Sequence, residues 1–347
     1  MDIEERIALV MRKPTEEVIT PEDLRKLFEE KSRPKHYIGF EVSGIGHIGN
    51  LLIAEKMKHF KKAGIELNVF LADYHAWINN KLGGDLELIQ KAGREYFTEL
   101  YRAMGIDDAN YVLASEIYKE DYWKLVLELS KRATIKRALR CSTIMGRKEG
   151  ESIHTANIIY PLMQAADIFY MGIDIAHAGM DQRKVHVFAR EINPSFVAVH
   201  NHILPSLQSS KKMDPYKDEE LLDAKMSKSR PETAIYLHES KEEVERKVKK
   251  AFCPERQVEG NPVYEIASYV IGASKETLLI ERKKEFGGDI EVEIDGELAS
   301  LYSQGKIHPL DLKAAVAREL NEMIEPVRQR FKGKESIIEM VKGKVSR

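Results

Sequence analysis

Two segments far apart in the chain carry residues that could hold a polyphosphate. The first is His47-Ile48-Gly49-Asn50, which ends a turn containing Gly44 and Gly46. Glycines let a nucleotide approach the backbone closely. A helix starting there points its amides and positive dipole end at phosphates. His47 can then donate to charge building up on a transferring phosphorus centre. Asn50, three residues later on the same helical face, can reach a ribose. Two other readings stay open: His47 merely caps a helix, or Gly44, Gly46 and Gly49 form a dinucleotide fingerprint, G-x-G-x-x-G, with Asp73 ending the next strand. The second segment is Lys225-Met226-Ser227-Lys228-Ser229. Two lysines three apart, interleaved with hydroxyls, can neutralise a triphosphate. Alone, such a run is usually a solvated loop. Paired with His47 it points to ATP, with Gly46, Gly49, Asn50, Met226, Ser227, Lys228 and Ser229 as nucleotide contacts and His47, Lys225 and Lys228 stabilising transferred charge.

These loops need a scaffold that presents them. Residues 36–42 read as a strand, 50–63 as an amphipathic helix closed by Gly64, and 66–73 as a second strand with the apolar run Val69-Phe70-Leu71-Ala72. Continuous apolar strands suit a parallel sheet covered on both faces. Further helices are expected at 86–104, 119–131, 161–170 and 181–192, and strands at 111–114, 173–177 and 197–201. This alternation predicts a doubly wound, Rossmann-like α/β domain over 35–235. Residues 1–34 read as short helices; Thr20-Pro21-Glu22-Asp23 is a helix start. Residues 205–223 read as a mobile loop leading to the lysine motif. Beyond residue 235 the pattern turns mainly helical, with a capping box at Ser240 and Glu243 and helices at 261–271, 309–331 and 335–344.

Length, 347 residues, allows two or three domains. The two cysteines, Cys141 and Cys253, exclude a disulfide framework and a cysteine zinc site, so no resident metal is expected. No apolar run approaches the roughly 20 residues of a membrane helix, and the acidic N-terminus does not resemble a targeting peptide. The expected location is the cytoplasm. Net charge is −2, so contact with nucleic acid must come from local patches. One such patch is 131–148, with seven basic residues and no acidic one. Arg132, Lys136 and Arg140 recur every four residues there, as on one helical face, and read as phosphate contacts.

With both loops in view, the chain resembles the class I aminoacyl-tRNA synthetases, whose signatures are H-I-G-H after the first strand and K-M-S-K-S after the last. The second is complete here; in the first, Asn50 replaces the final imidazole and keeps a donor. Tyr160-Pro161-Leu162-Met163-Gln164-Ala165-Ala166-Asp167 and Gly179-Met180-Asp181-Gln182-Arg183-Lys184 are similar to segments of tyrosyl-tRNA synthetases of the archaeal and eukaryotic type. Pro161 suits the first turn of a helix, which would put Gln164 and Asp167 on one face. Tyr37, Gly39, Glu41 and Ser43 share one face of the first strand, and Gly39 leaves room beside Tyr37 and the nucleotide.

The resemblance implies that Tyr37 and Asp167 bind a phenol oxygen and that Tyr160, Gln164 and Gln182 bind an amino group. It implies L-tyrosine, ATP with Mg2+, and tRNA(Tyr) as substrates. It also implies a homodimer through a central insertion near 115–155, and a helical anticodon-binding domain over 236–347. Lys284-Glu285-Phe286-Gly287-Gly288-Asp289 and His308-Pro309-Leu310-Asp311-Leu312-Lys313 match family segments. By that match Phe286 stacks on an anticodon base while His308 and Asp311 read its edge. Arg183 would reach the acceptor stem. Residues 305–347 carry ten basic against six acidic side chains, a modest bias toward RNA.

Overall fold

In the computed structural model, residues 1–145, 154–210, 214, 216–217 and 231–342 are described. Lys225, Met226, Ser227, Lys228 and Ser229, and most of the expected 205–223 loop, lie outside them. Contacts divide the chain into two compact units. One comprises Met1–Gly44, Met57–Asn201 and Lys334–Arg347; the other comprises Ile45–Lys56 and His202–Gly333. This division differs from boundaries at 34 and 235, because the N-terminal segment joins the sheet.

The first unit holds a six-stranded sheet of β1 (Thr15–Ile19), β2 (His36–Phe40), β3 (Asn68–Leu71), β4 (Asn110–Leu113), β5 (Ile175–Gly179) and β6 (Val197–Asn201), in the order β1-β6-β5-β2-β3-β4. The strands β2 to β6 pair in parallel. All four residues of β3 and all five of β6 are buried, as expected for strands covered on both faces. Strand order reverses between β2 and β5. Sheets of this type bind ligands beyond the carboxyl ends of strands at that point.

In chain order the helices of this unit begin with α1 (Ile3–Met11) and α2 (Pro21–Glu30). Then come α3 (Ile48–Lys62), shared between the units, and α4 (Asp73–Ile78). Next are α5 (Leu86–Ala92), α6 (Thr98–Ala103), α7 (Ala114–Ile117), α8 (Glu120–Arg132), α9 (Ile135–Arg140), α10 (Thr155–Tyr170) and α11 (Arg183–Ile192). Local chemistry accounts for several ends. Thr20 caps α2 by accepting from the Asp23 amide at 3.1 Å, with Pro21 at the first helical position. Gly64 closes α3 at φ 76°, a conformation that favours glycine.

Four expectations change. Residues 1–34 are not all helical, because Thr15–Ile19 forms an edge strand antiparallel to β6. The 86–104 helix carries a π-helical turn, Gly93–Phe97. Pro161 sits inside α10, which begins at Thr155, so it is not in the first turn. The basic run does not form one helical face. The chain is extended at Ala133, and Thr134 caps a new helix by accepting from the Arg137 amide at 3.2 Å. Arg132 therefore lies on α8, whereas Lys136 and Arg140 lie on α9; all three are exposed.

The second unit contains α12 (Lys241–Lys250) and α13 (Pro262–Glu265), which runs through a π-helical stretch, Ile266–Ile271, into a last turn, Gly272–Ser274. It continues with the hairpin β7 (Thr277–Ile280) and β8 (Ile290–Glu293), then α14 (Leu298–Ser303) and α15 (Pro309–Phe331). The hairpin was absent from the helical expectation. Ser240 caps α12 by accepting from the Glu243 amide at 3.2 Å. The last helix, α16 (Glu335–Lys342), belongs to the first unit.

Candidate active site

The first unit brings together Tyr37 on β2, Tyr160, Gln164 and Asp167 on α10, and Gln182 just before α11. Tyr37, Tyr160 and Asp167 are buried, at 2 %, 6 % and 0 % exposure. Gly39 is required beside Tyr37, since a Cβ there would lie 2.5 Å from the Tyr37 hydroxyl. Burial, then the nearby Asp167 charge, holds the Tyr37 phenol well above its usual range, so it stays protonated.

Asp167 is the electrostatic centre of this pocket. Its Oδ1 accepts from the Tyr118 hydroxyl at 2.6 Å and the Tyr122 hydroxyl at 2.9 Å. Its Oδ2 is buried without a hydrogen-bond partner. The nearest basic nitrogen, His75 Nε2, is 3.8 Å away. Burial pushes His75 down to about 3, so the ring is neutral. Burial pushes the Asp167 carboxyl up to about 8, the two tyrosine hydroxyls oppose that shift, and Asp73 adds to it. A buried carboxylate oxygen without a donor is costly. A ligand hydroxyl donating to it would remove that cost.

The other end of this cluster is amide-rich. Gln164 Nε2 donates to Gln182 Oε1 at 3.3 Å, and Gln182 Nε2 donates to the Ile144 carbonyl at 3.1 Å. The Tyr160 hydroxyl donates to Glu41 Oε1 at 3.3 Å. Asn79 Nδ2 donates to the same oxygen at 2.8 Å, and Lys81 lies 3.2 Å from Glu41 Oε2. Sequence reasoning placed Glu41 on the pocket face of β2 but gave it no role, and it missed His75, Asn79, Tyr118 and Tyr122. The spacing Tyr118-x-x-x-Tyr122 was a signal, but such pairs usually pack in cores.

In the second unit the His47 loop has a defined geometry. Gly49 N donates to His47 Nδ1 at 3.1 Å. With Nδ1 accepting, the neutral ring carries its proton on Nε2, the donor the phosphate reading requires. Gly49 is dictated by that ring, because a Cβ would meet His47 Cε1 at 2.6 Å. The Asn50 carboxamide oxygen accepts from His47 N at 3.0 Å, so it serves the start of α3. The loop is paired with the chain that follows the lysine motif. Ile48 N donates to the Ile235 carbonyl, Leu237 N donates to the Gly46 carbonyl, each at 3.0 Å, and His47 bridges Tyr236. Gly44, in the turn before this loop, has φ 60°.

Asp73 does not support the dinucleotide alternative. It is fully buried, and Oδ1 accepts from Tyr74 N at 2.9 Å and Ser115 N at 3.1 Å. These two amides tie Asp73 to the starts of α4 and α7, and its Oδ2 is buried without a hydrogen-bond partner.

The expected RNA contacts fall in different settings. Phe286 is 63 % exposed in the turn between β7 and β8. His308 caps α15, its Nδ1 accepting from Leu310 N at 3.2 Å, and Asp311 lies in the first turn. Arg282 links the two regions by donating to the Lys306 carbonyl at 2.9 Å. Arg183 is engaged within the chain, donating to both Glu17 oxygens at 3.0 and 2.8 Å.

Residues 29–325 match the family model for class I tRNA synthetases of the tryptophan and tyrosine group, and the chain belongs to that family. The tyrosine–tRNA ligase of Pyrococcus furiosus is 47 % identical, the match covering 99 % of this chain and 98 % of that protein. A crystal structure of the Pyrococcus horikoshii tyrosyl-tRNA synthetase complexed with L-tyrosine is similar at 47 % identity and a TM-score of 0.90, covering 98 % of this chain and 99 % of that one. The tryptophanyl-tRNA synthetase of Aeropyrum pernix, at 19 % identity and a TM-score of 0.66, shares the fold.

Proposed function

We propose that this chain is a tyrosine–tRNA ligase that forms tyrosyl-adenylate from L-tyrosine and ATP and transfers the tyrosyl group to tRNA(Tyr). The observation that carries the amino-acid assignment is Asp167, buried, with one oxygen satisfied and the other without a donor. The substrate phenol donates to Oδ2 and accepts from Tyr37. Phenylalanine would leave those buried groups unpaired. Gln164, Gln182 and Tyr160 hold the ammonium, with Glu41 anchoring the Tyr160 hydroxyl.

In the first step a substrate carboxylate oxygen attacks the α-phosphorus of ATP. The bond from that phosphorus to the bridging oxygen breaks, and pyrophosphate leaves. A carboxylate is ionised at neutral pH, so no general base is needed. Rate comes from positioning and charge stabilisation. His47 Nε2–H, Lys225 and Lys228 supply the stabilisation, with Gly39, Gly46, Gly49, Asn50, Met226, Ser227 and Ser229 at the nucleotide. Among the described residues no cluster of three or more ligands could hold a metal by itself. Magnesium enters with the nucleotide substrate, as is usual for an ion that keeps its water and phosphate ligands. In the second step a terminal ribose hydroxyl of tRNA attacks the carbonyl of the mixed anhydride and AMP leaves.

Phe286, His308 and Asp311 serve the anticodon, and exposed Arg132, Lys136 and Arg140 serve backbone phosphates. Arg183 reaches the acceptor stem only by loosening its Glu17 pair. Assembly as a homodimer fits an apolar surface around α8 to α10, where Trp123, Leu127, Ile135, Leu139 and Ile159 are 37 to 70 % exposed. No described helix is long and apolar enough to cross a membrane, and the cytoplasm suits these substrates.

Tyrosine-dependent exchange of labelled pyrophosphate into ATP tests the reading. Exchange with tyrosine and not tryptophan is expected. No exchange with either sinks the ligase assignment, and exchange with tryptophan alone moves the specificity.

A further inference from the structure

Both hydroxyl donors on Asp167 fall on one of its two oxygens. Tyr118 and Tyr122 converge on Oδ1 from the start of α8. Their rings stack at a centroid distance of 3.7 Å and an interplanar angle of 12°. Both rings pack on further aromatic neighbours. Tyr118 also packs on Tyr74 at 5.6 Å and Trp123 at 5.7 Å, and Tyr122 on Tyr170 at 5.4 Å. Tyr122 is fully buried, and its hydroxyl has a second acceptor, the Met163 carbonyl, at the longer distance of 3.2 Å.

We propose that Tyr118 and Tyr122 are positioning residues that saturate Oδ1, leave Oδ2 as the acceptor for a hydroxylated aromatic side chain, and thereby set the discrimination of tyrosine from phenylalanine. This inference rests on the tyrosine reading of the pocket. Two donors on one carboxylate oxygen favour the ionised form. They also fix the rotation of the carboxylate, so the remaining acceptor has one direction. The charged and titratable groups around Asp167 are few. Tyr118 and Tyr122 face it from the α7–α8 side, Asp73 and His75 from α4, Tyr37 from β2, and Tyr160 from its own helix. His75 is neutral and Asp73 opposes ionisation. The two hydroxyls are therefore the groups that counter burial, and with them in place the carboxyl stands at about 8.

The test uses the full chain, its Tyr118→Phe and Tyr122→Phe variants, and pH from 6.5 to 9. Tyrosine binding is followed by calorimetry without ATP, in two buffers of different ionisation heat, and tyrosine KM by pyrophosphate exchange. In the parent, binding near pH 7.5 should release most of one proton and tighten as pH rises through about 8. In Tyr118→Phe the pH dependence should move upward by about one unit, with tyrosine KM at pH 7.5 raised about tenfold, the size expected for a hydrogen bond to a charged group. The ratio of tyrosine to phenylalanine kcat/KM should narrow in step, while ATP KM stays within about twofold. A KM raised equally at every pH would mean packing alone and would overturn the proposal. So would variants that match the parent, or binding that tightens as pH falls. Failure of the ligase reading looks different: the parent would then show no tyrosine-dependent exchange, whatever its proton count.

Discussion

At the scale of single residues, the proposed reaction divides between the cluster around Asp167 and the two phosphate motifs. Asp167 should govern tyrosine affinity and Lys228 the chemical step. Asp167→Ala is expected to weaken tyrosine binding about 100-fold, roughly 2–3 kcal/mol, because it removes a buried charged acceptor, strips the Tyr118 hydroxyl of its acceptor and leaves Tyr122 only the Met163 carbonyl. Lys228→Ala should instead lower the single-turnover rate of adenylate formation with little change in tyrosine affinity. Equilibrium titration beside rapid-quench kinetics separates the two, and unchanged affinity in Asp167→Ala would refute the pocket assignment. Tyr37, Tyr160, Gln164, Asp167 and Gln182 were legible through the resemblance to tyrosyl-tRNA synthetases, with Gln164 and Asp167 also sharing a helical face by spacing. His75, Tyr118 and Tyr122 were not, because an aromatic or a histidine in an apolar stretch is usually core. Only their convergence on one carboxylate gives them meaning.

At the scale of elements, the chain from 231 to 239 has a structural anchor that the sequence hid. Lys247 on α12 is 3 % exposed, yet its ammonium is satisfied. It donates to the carbonyls of Pro231 at 2.7 Å and Ala234 at 2.8 Å, and to Glu239. This anchor holds the segment that bridges the His47 loop and follows the lysine motif in the chain. Lys247→Met should destabilise the protein by about 3 kcal/mol, since it leaves a half-buried carboxylate without its partner. Burial already raises Glu239, and Lys247 counters that rise. A carboxyl raised in the folded state favours folding at acid pH and loses that advantage as pH climbs through its folded value. Without Lys247 it rises further, so the deficit should be largest near pH 7 and shrink toward pH 5. Denaturant melts across that range measure it, and a deficit independent of pH would refute the Glu239 account. The same scale explains the misread basic run. Spacing by fours is periodicity, but Thr134 caps a new helix and ends the face.

At the scale of the whole molecule, the predictions concern partners. Leu127 is 66 % exposed and Ile135 70 %. Leu127→Glu or Ile135→Glu should convert a homodimer to a monomer in light-scattering chromatography, whereas a parent that is already monomeric would remove the apolar face from the argument. Phe286→Ala should lower kcat/KM for tRNA charging about tenfold, consistent with roughly 1–3 kcal/mol per stacked base. The pyrophosphate exchange reaction, which uses no tRNA, is the control; an equal loss in both would place Phe286 elsewhere than at a base. The strand order, with its reversal between β2 and β5, came from the structure; the doubly wound parallel sheet follows from apolar strands alternating with helices and was readable in advance. The edge strand β1 was not. Thr15-Glu16-Glu17-Val18-Ile19 is polar, and it becomes a strand through pairing with β6 while Glu17 accepts from His200 at 2.9 Å and from Arg183.

The two phosphate motifs and the family they point to were legible in the sequence itself, and the proposed tyrosine-binding residues followed from the resemblance those motifs support. The state of those groups was decided by tertiary structure. Which oxygen of Asp167 is left to accept depends on the Tyr118 and Tyr122 hydroxyls, brought to 2.6 and 2.9 Å of its partner oxygen by folding. Hydrogen bonds and dielectric burial act over such distances, and no spacing along the chain encodes them.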